Sequence, residues 1–313
     1  MSDLIVLAIG GNSLIRDEQH RSVPDQWVLA RETCHHIADI IDAGHRVVVT
    51  HGNGPQVGFI MRRSELARHE LHPVPLDSCD ADTQGAIGYM IQQSLENEFT
   101  RRGQRRSAVA LVTQVEVEAA SPAFLHPSKP IGAFMDEATA RARAAQEGWV
   151  VREDAGRGWR RVVPSPEPVG IVELEAIRTL VDAGFVVTAV GGGGIPVVRD
   201  AEGLLRGVEA VIDKDLASSL LATALGADQF VISTSVERVC LDYGRPGQCP
   251  LDAMTAGEAR RHLADGQFGE GSMAPKIRAC LLYLERGGIR AVITSPEQLE
   301  HAVEGRAGTV IVA

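Results

Sequence analysis

No stretch of this sequence is apolar for long enough to cross a bilayer. The longest apolar run near the N-terminus, Leu4 to Ile9, falls far short of the roughly 20 residues a spanning helix needs. The start also lacks the basic region and small-residue cleavage pattern of a secretory signal, so no membrane partner is expected. Cysteine is sparse: Cys34, Cys79, Cys240, Cys249 and Cys280 are odd in number, scattered, and contain no Cys-x-x-Cys pair. That excludes a recognisable disulfide framework or zinc site and fits a reducing, cytoplasmic setting, although Cys240 and Cys249 could in principle pair. Positive charge is short as well. With a formal net charge of −10 and no offsetting basic block, nucleic acid is not an expected partner. The densest basic cluster, Arg101, Arg102, Arg105 and Arg106, is simply explained as compensation for a negative helix terminus.

The scarcest charged residue is lysine. Of 31 lysines and arginines only three are lysine, and each lies in a Gly- or Pro-marked turn beside an apolar run. Lys129 is in Pro-Ser-Lys-Pro-Ile-Gly, Lys214 in Val-Ile-Asp-Lys-Asp, and Lys276 in Gly-Ser-Met-Ala-Pro-Lys. An ammonium is a compact point charge, whereas a guanidinium is a planar fork, so the two are not interchangeable where a small charge must meet one oxygen. In a chain that uses arginine nearly everywhere, retained lysines mark positions that reject it; chance survival at the surface is the alternative.

Short apolar runs alternate with helical segments along most of the chain. The strands predicted are Leu4–Ile9, Arg46–Thr50, Ala108–Val112, Val186–Val190, Val208–Ile212, Phe230–Ser233, Ala291–Thr294 and Thr309–Val312. Helical patterns fall between most of them, and together they predict an α/β fold, a mostly parallel sheet covered on both faces. Residues 121 to 168 break the rhythm. Val150–Glu153 and Trp159–Val163 flank the turn Ala155-Gly156-Arg157-Gly158, which predicts a β-hairpin in an inserted flap, functional or a mere surface excursion.

Three predicted strands run into glycine-rich turns: Gly10-Gly11-Asn12, His51-Gly52-Asn53-Gly54-Pro55 and Gly191–Pro196. Glycine lets backbone N–H groups turn towards an anion, and a following helix N-terminus adds positive potential. In open α/β sheets such loops lie at the carboxyl ends of strands, where ligands gather. Phosphate or carboxylate binding is therefore predicted. No Gly-x-x-x-x-Gly-Lys-[Ser/Thr] is possible, because no lysine follows a glycine. Gly52 to Gly58 departs by one residue from the dinucleotide fingerprint, and protein-kinase and serine-hydrolase motifs are missing. Asp213-Lys214-Asp215 opens a predicted helix. It reads either as a cap with a surface ion pair or as an acid holding lysines in a phosphoryl-transfer site. His69 and His72 have helical spacing but no further ligand nearby, so a solvated helix end explains them better than a metal.

These motifs resemble those of the carbamate kinases, within the amino acid kinase superfamily, from end to end. The similarity is carried by Ala8–Asn12, His51–Gly58, Thr83-Gln84-Gly85, Lys129-Pro130-Ile131-Gly132 and Glu153–Arg160. It continues through Val162–Pro166, Gly191–Pro196, Gly207–Asp215 and Gly271–Lys276. The Gly-Gly-Asn start marks the superfamily broadly; the Lys-Pro-Ile-Gly segment, the hairpin and the Ser-Met-x-Pro-Lys ending are much more particular.

The resemblance implies a three-layer αβα sandwich with two lobes and a protruding subdomain. Residues 1–207 would hold carbamate or carbamoyl phosphate, with the flap at about 121–168, and residues 208–313 would hold ADP or ATP with Mg²⁺. Gly10, Gly11, Asn12, Gly52 and Asn53 would bind the carbamoyl end and the transferring phosphoryl group. Lys129, Lys214 and Lys276 would neutralise phosphoryl oxygens, with Asp215 orienting them. Thr234, Ser235, Val236, Tyr243 and Met273 would lie around the nucleotide. A homodimer is implied too. The remaining readings are a superfamily kinase acting on another small acid or phosphonate, or a silent nucleotide or carbamoyl-phosphate sensor. Two departures stand out: Ser233 where the family usually has leucine, and Asp80 and Asp82 in a segment that is usually less acidic.

Overall fold

The computed structural model describes residues 2–10, 14, 19–154 and 156–313. Its centre is an eight-stranded sheet in the order Ala253–Thr255, Thr309–Val312, Arg290–Thr294, Gln229–Ser233, Leu4–Ile9, Arg46–His51, Val186–Thr188, Ala108–Ala110. From Arg290–Thr294 to Ala108–Ala110 every pairing is parallel; Thr309–Val312 runs antiparallel to Arg290–Thr294.

Every residue of Leu4–Ile9 is buried, and alternation along this strand divides the core in two. Val6 and Ala8 face one layer, packed with the helices Leu174–Asp182, Lys214–Leu225 and Met273–Glu285. Ile5, Leu7 and Ile9 face the other, packed with Val23–Asp42, Leu76–Arg101 and Leu299–Val303. Successive strand side chains point to opposite faces, so a strand apolar throughout must be covered twice. The chain is a three-layer α/β sandwich, as the sequence predicts.

A second sheet orders Leu205–Gly207, Ile195–Arg199, Gln114–Val117 and Pro168–Ile171. The predicted hairpin forms, with Glu153 opposite Trp159 and Val150 opposite Val162. A third strand, Lys129–Met135, joins it, and the helix Glu137–Glu147 packs alongside. This small unit is seated on the larger body through Ile131 and Val163, which share a core with Val57, Met61, Leu76, Cys79 and Val211. The flap lysine therefore sits on a strand with a packed base, not on a loose excursion.

Three strand predictions need correction. Val208–Ile212 is not a strand: strand Leu205–Gly207 precedes it, and residues 208–213 run irregularly to the next helix. Ala210, Val211 and Ile212 are buried, but the Val211 N–H donates to the Pro164 carbonyl (3.0 Å) rather than to a sheet neighbour. Burial without a ladder looks like a strand in sequence. Val186–Val190 stops at Thr188, because Val190 turns into the left-handed region at φ +54°. Ala108–Val112 stops at Ala110, and Val112 is exposed. No helix among the described residues is long and apolar enough to cross a membrane.

Candidate functional site

At the carboxyl edge of the main sheet the three lysines converge on two carboxylates. Lys214 opens the helix Lys214–Leu225, whose cap is Asp213: its Oδ1 accepts from the Asp215 N–H at 2.9 Å. The first turn thereby places the Asp215 carboxylate, almost fully buried, where Lys214 ion-pairs with Oδ1 and Lys276 Nζ donates to Oδ2 at 3.0 Å. Lys276 comes from the first turn of Met273–Glu285. Lys129, the first residue of its flap strand, reaches across to Asp213 Oδ2 at 2.8 Å. Asp213 is the helix cap that the first reading of the Asp-Lys-Asp motif expects and also the anchor of the flap lysine, while the Lys214–Asp215 pair is buried rather than at the surface. The resemblance would have Asp215 orient all three lysines; Asp215 engages two, and Asp213 the third.

Burial would raise the Asp215 carboxyl, but the Lys214 and Lys276 ammoniums outweigh it and hold the group below the usual carboxylate range. Lys214 is drawn down by burial and by its like-charged neighbour Lys276, against the opposing pull of Asp215 and Asp213. Two cations share one buried anion here. Such an arrangement carries excess positive charge into a low-dielectric site, which suits an incoming anion.

A cavity of about 510 Å³ opens beside the cluster. Its wall includes Gly10, Lys214, Thr234, Ser235, Val236, Tyr243, Met273 and Lys276, and so unites every residue expected around a nucleotide. Arg238, Cys240, Asp242, Arg245, Gln267 and Phe268 also line it, in segments that carry no strong sequence pattern. Cys240 and Cys249 are free, and sit diagonally in a two-residue antiparallel ladder, Cys240 opposite Pro250 and Cys249 opposite Leu241, so their side chains leave opposite faces. Ser233 is not in the cavity wall: it is buried within its strand, and its carbonyl accepts from the Gly10 N–H at 3.1 Å.

The glycine turns lie next to this cluster. Gly10 ends its strand against Ser233, and a Cβ there would stand 3.0 Å from the Ser233 carbonyl oxygen. Gly11 and Asn12 lie outside the described residues. The Gly52 N–H donates to the Ile9 carbonyl (3.1 Å), tying the first two turns together. His51 is buried; burial pushes its imidazole down to about 4, with Lys214 reinforcing and the Gly52 carbonyl opposing. The neutral ring donates from Nδ1 to that carbonyl at 3.1 Å, which makes His51 a brace for the turn. Asn53 precedes the helix Gly54–Ala67 without capping it; its side chain turns instead to Asp80 and Thr83. The N-termini of Gly54–Ala67 and Met273–Glu285 both lack a side-chain cap, so their first N–H groups are not claimed that way.

In the Gly191–Gly194 turn, Gly192, Gly193 and Gly194 have φ of +70°, +102° and +88°. A Cβ on Gly192 would meet Asn53 Nδ2 at 2.4 Å, and one on Gly193 would meet the Ile212 carbonyl oxygen at 2.5 Å. The turn is pinned by Gln84, whose Nε2 donates to the Gly191 and Thr113 carbonyls (2.9 and 3.0 Å) and whose Oε1 accepts from the Thr113 N–H (2.8 Å). Gln84, in the Thr83-Gln84-Gly85 motif, is thus a structural brace for this turn.

The amino acid kinase family model matches residues 3–295. Escherichia coli YahI, a carbamate kinase-like protein, is 48% identical over 100% of this chain and 99% of its own length. The carbamate kinase of Thermococcus kodakarensis is 47% identical, covering 98% of each chain. The solved carbamate kinase of Giardia lamblia bound to AMP-PNP superposes with a TM-score of 0.93 at 40% identity, over 99% of this chain and 98% of that one.

Proposed function

The chain belongs to the amino acid kinase family, among the carbamate kinases, and on that footing we propose that it transfers a phosphoryl group reversibly between carbamoyl phosphate and MgADP, giving MgATP and carbamate. The observation that carries this reading is the convergence of all three lysines on Asp213 and Asp215 beside the cavity.

In this reading Lys214 and Lys276 meet the equatorial oxygens of the transferring group and the adjoining nucleotide phosphate. Lys129 approaches from the flap side. Gly10, Gly52 and Asn53, with Gly11 and Asn12 by motif, hold the carbamoyl end and the group in flight. Thr234, Ser235, Val236, Tyr243 and Met273 surround the nucleotide. Carbamate is already an anion, so attack requires no general base, and neutral His51 is occupied with its own turn. Phosphoryl transfer then depends on in-line positioning and on stabilising charge spread over three oxygens. Three fixed ammoniums supply that, and Asp215 keeps two of them in place. Magnesium would arrive bound to the nucleotide and would supply further charge neutralisation there; because lysines already engage Asp213 and Asp215, phosphate oxygens and water would hold it.

Residues 1–207 form the carbamate side and 208–313 the nucleotide side of this scheme. We assign a homodimer to the Ala108–Ala110 edge of the main sheet, where Tyr89 and Val112 stand exposed.

The test is ATP formation from ADP, Mg²⁺ and freshly prepared carbamoyl phosphate, read by luciferase. Turnover is the expected result; ADP binding without ATP would instead favour a different acid substrate or a sensor. Gly192→Ala should lower kcat/KM for carbamoyl phosphate about 100-fold in folded protein, since the added methyl displaces Asn53 by an ångström or more. Wild-type kinetics in that variant would remove Asn53 from the site.

A further inference from the structure

Hydrogen-bond accounting around Asn53 fixes which end of its carboxamide is left unpartnered among the described residues. Thr83 Oγ1 donates its single proton to the Asp80 carbonyl at 2.7 Å, so towards Asn53 it can only accept. Asn53 Nδ2 therefore faces Thr83, at 3.1 Å, and its second N–H goes to Asp80 Oδ1 at 2.9 Å. Both N–H bonds are used. Asn53 Oδ1 makes no hydrogen bond among the described residues and remains as an acceptor. Asp80 itself is 1% exposed, and its Oδ2 has no partner among the described residues.

We propose, building on the reading above, that Asp80 is a positioning residue for substrate selection: with Thr83 it locks Asn53 so that only an acceptor faces the acyl group. The site then favours an acyl phosphate bearing N–H over an isosteric one bearing a methyl group. A carbamoyl –NH₂ satisfies Asn53 Oδ1. The methyl of acetyl phosphate cannot, and leaves that oxygen desolvated and unpaired.

A buried carboxyl with one unpartnered oxygen is best accommodated as the neutral acid, since an unpaired buried charge costs far more than an unpaired hydroxyl. Burial raises the Asp80 carboxyl to about 8, with the Asn53 N–H opposing and Asp77 on the same helix reinforcing. The elements packed nearby add little positive charge to counter it. His51, before the helix Gly54–Ala67, is held neutral; Glu209 is paired with Arg161 (2.8 Å) and Asp213 with Lys129. Above pH 8 Asp80 becomes an anion one residue removed from an anionic substrate, and binding of that substrate weakens.

The experiment compares wild type, Asp80→Asn and Asp80→Ala. For wild type, KM for carbamoyl phosphate should climb about tenfold from pH 7 to pH 9, while KM for ADP stays level. Asp80→Asn can still accept from Asn53 but cannot ionise, so its KM should stay flat over that range. Asp80→Ala frees one Asn53 N–H, and the kcat/KM preference for carbamoyl over acetyl phosphate should fall about five- to tenfold. Parallel pH profiles for wild type and Asp80→Asn, or an unchanged preference in Asp80→Ala, would overturn the proposal. If Asp80→Ala does not fold, the Asp80→Asn profile decides. Failure of the function reading is separable: no ATP from wild type sinks that reading and the selectivity with it. The ¹³Cγ titration of Asp80 in substrate-free protein, midpoint near 8 or near the ordinary aspartate value, judges the buried acid alone.

Discussion

Lys214→Ala should lower kcat for ATP formation by about 10³-fold while the protein remains folded, because one preorganised charge on the transferring group is gone. Both KM values should move much less, since the lost contact strengthens chiefly as charge redistributes in the transition state. The substitution also relieves the crowding of two ammoniums on Asp215, so a collapse of the fold is not expected. Lys214→Arg should not rescue. The guanidinium is wider, prefers two parallel oxygens, and would have to fit against Asp215 when Lys276 already takes its second oxygen. Steady-state rates at saturating substrates check this, and a loss smaller than about tenfold would remove Lys214 from the phosphoryl site.

Asp215→Ala should be the most damaging change to the fold among the site residues. It leaves Lys214 and Lys276 facing one another, buried, with their shared carboxylate removed, a loss on the order of 3–5 kcal/mol for a broken buried pair. The pH dependence follows from the sign of the shift. The folded-state carboxyl of Asp215 lies below its unfolded value, so its stabilisation is complete above the unfolded pKa. It is lost as pH falls from about 4 through the lower folded value. Urea midpoints at pH 7 should therefore fall sharply in Asp215→Ala, and the gap to wild type should narrow at pH 3. A constant gap across that window would mean that the carboxylate is not held as an anion by its lysines.

Much of this was legible because it rests on strong local constraints. Leu4–Ile9 declares a doubly covered strand through uninterrupted apolarity, and the lysines declare themselves through scarcity and turn context. The hairpin is visible because its turn residues separate two β-rich runs. Val208–Ile212 misleads because hydrophobicity reports burial, not the partner that provides it: Val211 is buried under the flap and bonded to Pro164. The task of Asp213 needed three dimensions, since Lys129 lies 84 residues away in the chain. So did the lock on Asn53, whose partners Asp80 and Thr83 meet it only when the helix Leu76–Arg101 packs against the Gly52 turn. The far wall of the cavity, Arg238 and Phe268 among it, belongs to irregular segments with no periodic signature. In the first glycine turn, Gly11 and Asn12 remain motif-based assignments outside the described residues.

The most direct test of the lysine site is luciferase-read ATP formation from ADP, Mg²⁺ and carbamoyl phosphate, run for wild type beside Lys129→Ala. The flap lysine touches Asp213 and no other described carboxylate, and its side chain is about a third exposed, so its removal should leave the fold intact. The account predicts turnover by wild type and a loss of at least about 100-fold in Lys129→Ala with ADP binding retained. Equal turnover by both proteins would contradict it, because a flap lysine without effect on the rate does not belong to the phosphoryl-transfer site.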